Sequence, residues 1–280
     1  MMFLFQLRNE LWKLFGKKRT YIGFIILLIA QNAMLIAFRF SHWSRKMATV
    51  LEGHGFSATG FISNMTVAIV MLYPIAIILL PLYVTLIGGD LMAKESEDGT
   101  LRMILSRPIS RIRLLLVKWV AGGIFSFVLV LTLGVTALLS ASIWFHWGGL
   151  FVFLPGEAFS IFEPAAGLKH YIVAHLFLTI KAFTLMGMAL MFSCFNIKPA
   201  AATILALSVL FTSFAMQMIP FMKEYENWLP SFQMSNVWFP ILSSPIPWWK
   251  IGSAFSILAG FNLTFLLIGC SVFQMRDIKS

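Results

Sequence analysis

Apolar residues gather along this chain in blocks of about 20, the length that crosses a bilayer as a helix, instead of alternating with polar positions at a helical or strand period. Six such blocks stand out: Tyr21 to Phe38, Thr66 to Gly88, Leu114 to Phe145, Tyr171 to Phe195, Ala200 to Ile219 and Ile251 to Phe273. They predict an all-α membrane protein with a single transmembrane domain over 1–280 and spans at about 21–38, 66–88, 114–145, 171–195, 200–219 and 251–273. The third block exceeds one crossing, so it is expected to tilt or to project beyond the bilayer. Pro74 and Pro81 are expected to bend the second. The first block reads as a retained span, because no small-residue cleavage site comes closely after it.

Between the blocks the pattern changes. Ahead of the first, Leu4, Leu7, Leu11 and Leu14 recur at three- and four-residue spacing with Arg8, Asn9, Glu10 and Lys13 between them. That spacing predicts an amphipathic interfacial helix over 1–19, closed by the basic run Gly16 to Arg19, where the helix dipole and anionic lipid both favour cations. Such a helix either lies on the membrane surface without a partner or packs against a soluble subunit. The segment at 220–250 is aromatic and broken by Pro220, Pro230, Pro240, Pro245 and Pro247. It suits short helices dipping into the outer interface, with Trp228, Trp238, Trp248 and Trp249 as belt residues. The stretch from Trp144 to Tyr171 is also aromatic, with Pro and Gly breaking any long helix.

Composition supports the membrane reading. Of 280 residues, 59% are hydrophobic and 11% charged, and the mean hydropathy is +0.87, outside the range of a soluble domain with about 25% charged residues. The net charge of +10 does not point to nucleic acid, since no basic patch with interleaved aromatics stands apart from the blocks. It points to loop topology: with the N-terminus inside, about two thirds of the 21 lysines and arginines fall on that side. Both termini are therefore expected in the cytoplasm, with membrane lipid as the surroundings of the spans.

Catalytic constellations are missing. No phosphate loop, HExxH, GxSxG or metal-spaced His/Cys/Asp set occurs, so no enzyme activity, no metal and no cofactor bound by the chain itself is expected. Cys194 and Cys270 read as small buried hydrophobes. His42, His54, His146, His170 and His175 fall on the outer side or its border and, with 16 methionines, could only loosely suggest metal. Lys181 is the one ionisable residue near a span centre. It is a candidate pathway residue or anion ligand, or else it makes a structural hydrogen bond to a neighbouring helix. Gln31, Asn32, Gln217 and Asn262 are weaker candidates for contacts between helices.

One dense charged segment interrupts the apolar run between the second and third blocks: "GGDLMAKESEDGTLRMILSRPISRIRLLLVKW". Asp98-Gly99 is a turn signal, Thr100 can cap a helix beginning at Leu101, and Pro108 should end that helix. Two short helices, the first acidic and the second basic, are expected against the inner face. Here the chain resembles bacterial ABC-transporter permeases of the type-2 (ABC-2) export superfamily, with their E-x-E-x-G-T-L-x-x-L-L-S-x-P-[IV]-S-R signature. Glu95, Glu97, Gly99, Thr100, Leu101, Leu105, Ser106, Pro108, Ile109, Ser110 and Arg111 match it, Lys118 stands at the usual distance beyond, and Asp98 and Ile104 depart from it.

The resemblance implies the ABC type-2 exporter (type V) fold and a permease subunit without a nucleotide site of its own. It implies a transporter core of two permeases, the second being the same chain or a paralogue, and two copies of an ABC ATPase that bind ATP and Mg. It makes 90–111 a coupling segment, with Glu95, Glu97, Asp98, Gly99, Thr100, Leu101, Arg102, Ser106, Arg107, Pro108 and Arg111 as ATPase-docking residues. It makes Asn196, Lys198 and Pro199 a second coupling turn. The implied function is export or extraction of a substrate across or from the membrane. The alternative is a mechanotransmission subunit that passes ATPase motion to a periplasmic or surface partner without moving a solute.

Overall fold

The computed structural model describes residues 2–40, 49, 52–53, 62–106, 109–154 and 158–276. The chain opens with α1 (Met2–Gly16), and after Lys17 turns into α2 (Lys18–Phe40). The second crossing is composite: α3 (Asn64–Pro74), a π-helical turn at Ile75–Leu79, then α4 (Leu80–Glu97). The short α5 (Thr100–Leu105) leads to α6 (Arg111–Trp144). A two-stranded hairpin, β1 (Leu150–Leu154) and β2 (Ala158–Phe162), precedes α7 (Pro164–Ser193) and α8 (Pro199–Gln217). A 3₁₀ stretch at Pro220–Trp228, α9 (Pro230–Asn236) and a second 3₁₀ turn at Phe239–Leu242 then reach α10 (Trp248–Met275). Among the described residues, six helices are long and apolar enough to cross a membrane and one small hairpin is present, an all-α membrane architecture.

Burial ranks the crossings. The hydrophobic windows of α7 and of the α3–α4 crossing are 67% and 61% buried, against 22% for α2, 28% for α8 and 17% for α10. The first two therefore form the centre, and the other three show apolar side chains such as Ile25, Ile29, Ile204 and Leu263 outward, as lipid-facing helices do. Small residues bring the centre together. A Cβ at Gly88 would lie 2.7 Å from the Met186 carbonyl and 2.9 Å from the Ala189 Cβ, and one at Gly89 would lie 2.6 Å from the Thr203 Oγ1. These glycines are packing notches rather than turns, and the helix runs through them to Glu97. The expected pair of short helices is thus corrected: the acidic half is the last turns of α4, and only the second half is a short helix.

The bend expected from Pro74 and Pro81 takes the form of the π turn between them. Pro81 has no N–H to donate, and a widened turn absorbs the break in the ladder. The end opposite the termini carries a hairpin that the block pattern does not predict. "LFVFL" pairs antiparallel with "AFSIF", Leu150 facing Phe162, and such short aromatic and branched runs suit strands. Its root is fixed to the start of α3: the Ser63 Oγ donates to the Gly149 carbonyl at 2.5 Å, and the Phe151 N–H donates to the Thr66 Oγ1 at 2.9 Å. The proline-broken segment is tied to α8 through the Ser213 and Ser231 hydroxyls, 2.6 Å apart. Trp228, Trp248 and Trp249 are exposed there, but Trp238 is 3% exposed and belongs to the core, so it is not a belt residue.

Candidate functional site

At the end of the bundle that carries both termini, α4 outruns the apolar windows and ends at a reversal. Gly99, at φ 70°, is the single positive-φ residue among those described, a backbone state that costs a side-chain-bearing residue about 1–2 kcal/mol. The Thr100 hydroxyl donates back to the Glu95 carbonyl at 3.2 Å. It thus satisfies the end of α4 instead of capping α5 as its position in the sequence predicts. Leu101 is 2% exposed and pins α5 to the body, while Arg102, Met103 and Ser106 face outward. Glu97, Asp98 and Gly99 are exposed as well, and the Lys94 ammonium holds both acids, at 3.0 Å and 3.1 Å. Arg107 and Pro108 lie outside the described residues. The Ser110 Oγ accepts the Arg113 N–H at 3.3 Å and so caps α6.

The remaining residues predicted for docking do not share that surface. The Arg111 guanidinium donates to the carbonyls of Phe273 at 3.0 Å and Arg276 at 2.7 Å, closing the C-terminal end of α10 with a cation where the helix dipole favours one. Glu95 turns inward, its carboxylate 2.8 Å from the Lys118 ammonium and 3.1 Å from that of Lys13. In the second turn, Asn196 and Lys198 are exposed, whereas Pro199 is buried as the first residue of α8. The Arg276 guanidinium joins the two elements by donating to the Ser96 Oγ and, at 2.6 Å, to the Asn196 Oδ1.

Glu10 completes a closed ring. Its carboxylate lies 2.8 Å from Lys13 and 3.0 Å from Lys118, so two acids and two lysines alternate, each touching both opposite charges. Lys118 is 1% exposed. Burial pushes the Glu10 carboxyl up, but Lys118 and Lys13 outweigh it and hold the group below the ordinary carboxylate value. For Lys13 burial pulls down, but Glu10 and Glu95 outweigh it and the ammonium titrates above the ordinary lysine value. Both shifts favour the charged forms. One signal for this ring is available in the sequence: Glu10 is the only acid before Glu52 in a basic stretch. Beside the ring, α1 and α5 flank a groove of about 820 Å³ lined by Gln6, Glu10, Asp98, Met103 and Ile104.

Lys181 sits far from this surface, on α7. It is 0% exposed, and its Nζ has no hydrogen-bond partner among the described residues. The weaker interior candidates do link helices: the Thr136 hydroxyl reaches the Gln31 Oε1 at 3.3 Å, the Asn262 Nδ2 donates to the Thr184 Oγ1 at 2.7 Å, and Gln217 contacts Ser231. Asn32 instead bonds within its own helix, to the Leu28 carbonyl. No group of three or more His, Cys, Asp or Glu comes together among the described residues; His42 and His54 lie outside them.

Comparison with known proteins adds a family. The family model described as "ABC-2 family transporter protein" matches residues 8–277. The chain is also 24% identical over 211 residues to the "Uncharacterized protein YhcI" of Bacillus subtilis (strain 168), an alignment covering 72% of this chain and 66% of that relative. The chain thus spans just under two thirds of that relative's length.

Proposed function

From its place in the ABC-2 family of transporter membrane proteins, to which this chain belongs, we propose that it is a permease subunit that couples ATP hydrolysis by separate ATPase subunits to export or extraction of a substrate. One observation carries this reading. Glu97, Asp98, Gly99, Arg102, Met103 and Ser106 stand exposed at the terminus-bearing end, set off by the Gly99 reversal, and Arg276 ties the root of this segment to the exposed turn at Asn196. A chain without a phosphate loop can feel nucleotide only through such contacts, and mixed acidic and basic side chains give a partner-specific surface without a large apolar patch. Two ATPases carrying ATP and Mg, a second permease, and cytoplasmic termini in an inner membrane belong to the same proposal. Alternation of access is then a two-state rearrangement biased by nucleotide.

A second reading, transmission of ATPase motion to an envelope partner without solute passage, draws support from the opposite end. That end is built of a hairpin and short helices hydrogen-bonded to the spans, a shape able to present a surface.

The test is direct. Glu97→Arg reverses an exposed charge held by Lys94, and Gly99→Pro forbids the φ of 70°. Either change is expected to lower ATPase turnover stimulated by the permease about tenfold, with the protein still inserted. Undiminished copurification of the ATPase together with unsubstituted levels of stimulated turnover sinks the docking assignment.

A further inference from the structure

The ring of four charges joins three elements that a docking segment alone would not need to join. Lys13 and Glu10 belong to α1, Glu95 to the last turns of α4, and Lys118 to the start of α6. The most enclosed member is Lys118, between the carboxylates of Glu10 and Glu95 at 3.0 Å and 2.8 Å. Apolar contacts extend the same seam. Leu14 is buried, and Phe15 meets Phe125 on α6 with ring centroids 5.7 Å apart. If α1 separated from α4 and α6, the enclosed ammonium and two largely enclosed carboxylates would part, which is strongly unfavourable in a site of low dielectric.

We propose that Lys118 is a positioning residue that makes α1 part of the coupling element, so that the N-terminal helix and the docking segment move as one body when nucleotide binds. This rests on the docking reading above and goes beyond it, since α1 would otherwise serve as a surface anchor free to stay behind in the lipid headgroups. The root of the docking segment is Glu95, and any displacement of that turn is passed through Lys118 and Lys13 to α1 and from there, across the short Gly16-Lys17 link, to α2. The link is closed by Thr20 of α2, whose hydroxyl donates to the Leu14 carbonyl at 2.6 Å and whose N–H donates to the Lys17 carbonyl at 3.0 Å, so α1 and α2 are joined directly beside the ring.

The experiment uses the permease reconstituted with its ATPase in nanodiscs, with Cys194 and Cys270 changed to Ser and spin labels at Arg8→Cys on α1 and Met103→Cys on α5, both exposed positions. Pulsed electron–electron resonance then measures the distance between the labels without nucleotide and in the vanadate-trapped state. The expected result is one distance in both states for the otherwise unsubstituted chain, and a broadened, nucleotide-dependent distance in Lys118→Met. Stimulated ATP turnover is expected to fall about tenfold in Lys118→Met while ATPase copurification persists. Glu10→Gln, a milder change that leaves Lys118 paired with Glu95, is the second variant should Lys118→Met not insert, with a smaller shift in the same direction expected. A nucleotide-dependent distance in the unsubstituted ring, or unchanged turnover with the ring neutralised, overturns the proposal while leaving docking intact. Failure of the ATPase to copurify with the unsubstituted chain overturns the docking reading, and this one with it.

Discussion

Two lysines among the described residues are fully enclosed, and the fold treats them in opposite ways. Lys118 lies between two carboxylates, whereas Lys181 has no partner among the described residues. An ammonium group in that position is held at a cost of a few kcal/mol unless it is neutral or finds a partner in another state. A purely structural lysine would gain nothing from that cost. Lys181→Met keeps length and volume while removing the polar end, so thermal stability of the purified protein is expected to rise by a few degrees. If Lys181 serves the pathway, substrate-dependent turnover falls in the same variant. Turnover equal to that of the parent chain, at equal expression, would remove Lys181 from the pathway and leave it a buried structural residue.

At the scale of elements, the sequence pattern locates the crossings because a run of about 20 apolar residues has few other uses. It is less informative where one side chain serves two roles. Gly88-Gly89 reads as the end of the second crossing, yet those glycines are where α7 and α8 approach α4, a packing demand that no local pattern reveals. Thr100 reads as a cap for α5, yet its hydroxyl turns back to Glu95. The site is legible where the backbone itself dictates residue type, at Gly99, and illegible where partners are distant in sequence, as with Glu10 and Lys118 or Arg276 and Asn196. The notch reading makes its own prediction. Gly88→Val should lower the melting temperature by several degrees, since overpacking a close helix contact costs about 1–3 kcal/mol. Gly260→Val, with open space at its Cβ position, should leave it nearly unchanged. Equal effects of the two would show that α4 and α7 do not rely on close approach.

For the whole molecule, the two ends of the bundle differ in chemistry. The terminus-bearing end carries the charge ring, the Lys94 pairs, the Arg19 to Asp90 pair at 2.8 Å and the exposed Arg8, Arg102 and Lys198. The opposite end carries the hairpin, the proline-broken segment and exposed tryptophans such as Trp228 and Trp249. Insertion retains clusters of Lys and Arg on the cytoplasmic side, so the basic end is expected inside, where an ATPase and its nucleotide would be. Single cysteines placed at Met103 and at Glu224, in a chain with Cys194 and Cys270 changed to Ser, separate the two orientations. In sealed right-side-out vesicles an impermeant maleimide should modify Glu224→Cys at once and Met103→Cys only after the membrane is opened. The reverse order would put the docking segment on the wrong side of the membrane for ATP, and coupling through Glu97 to Ser106 could not then operate.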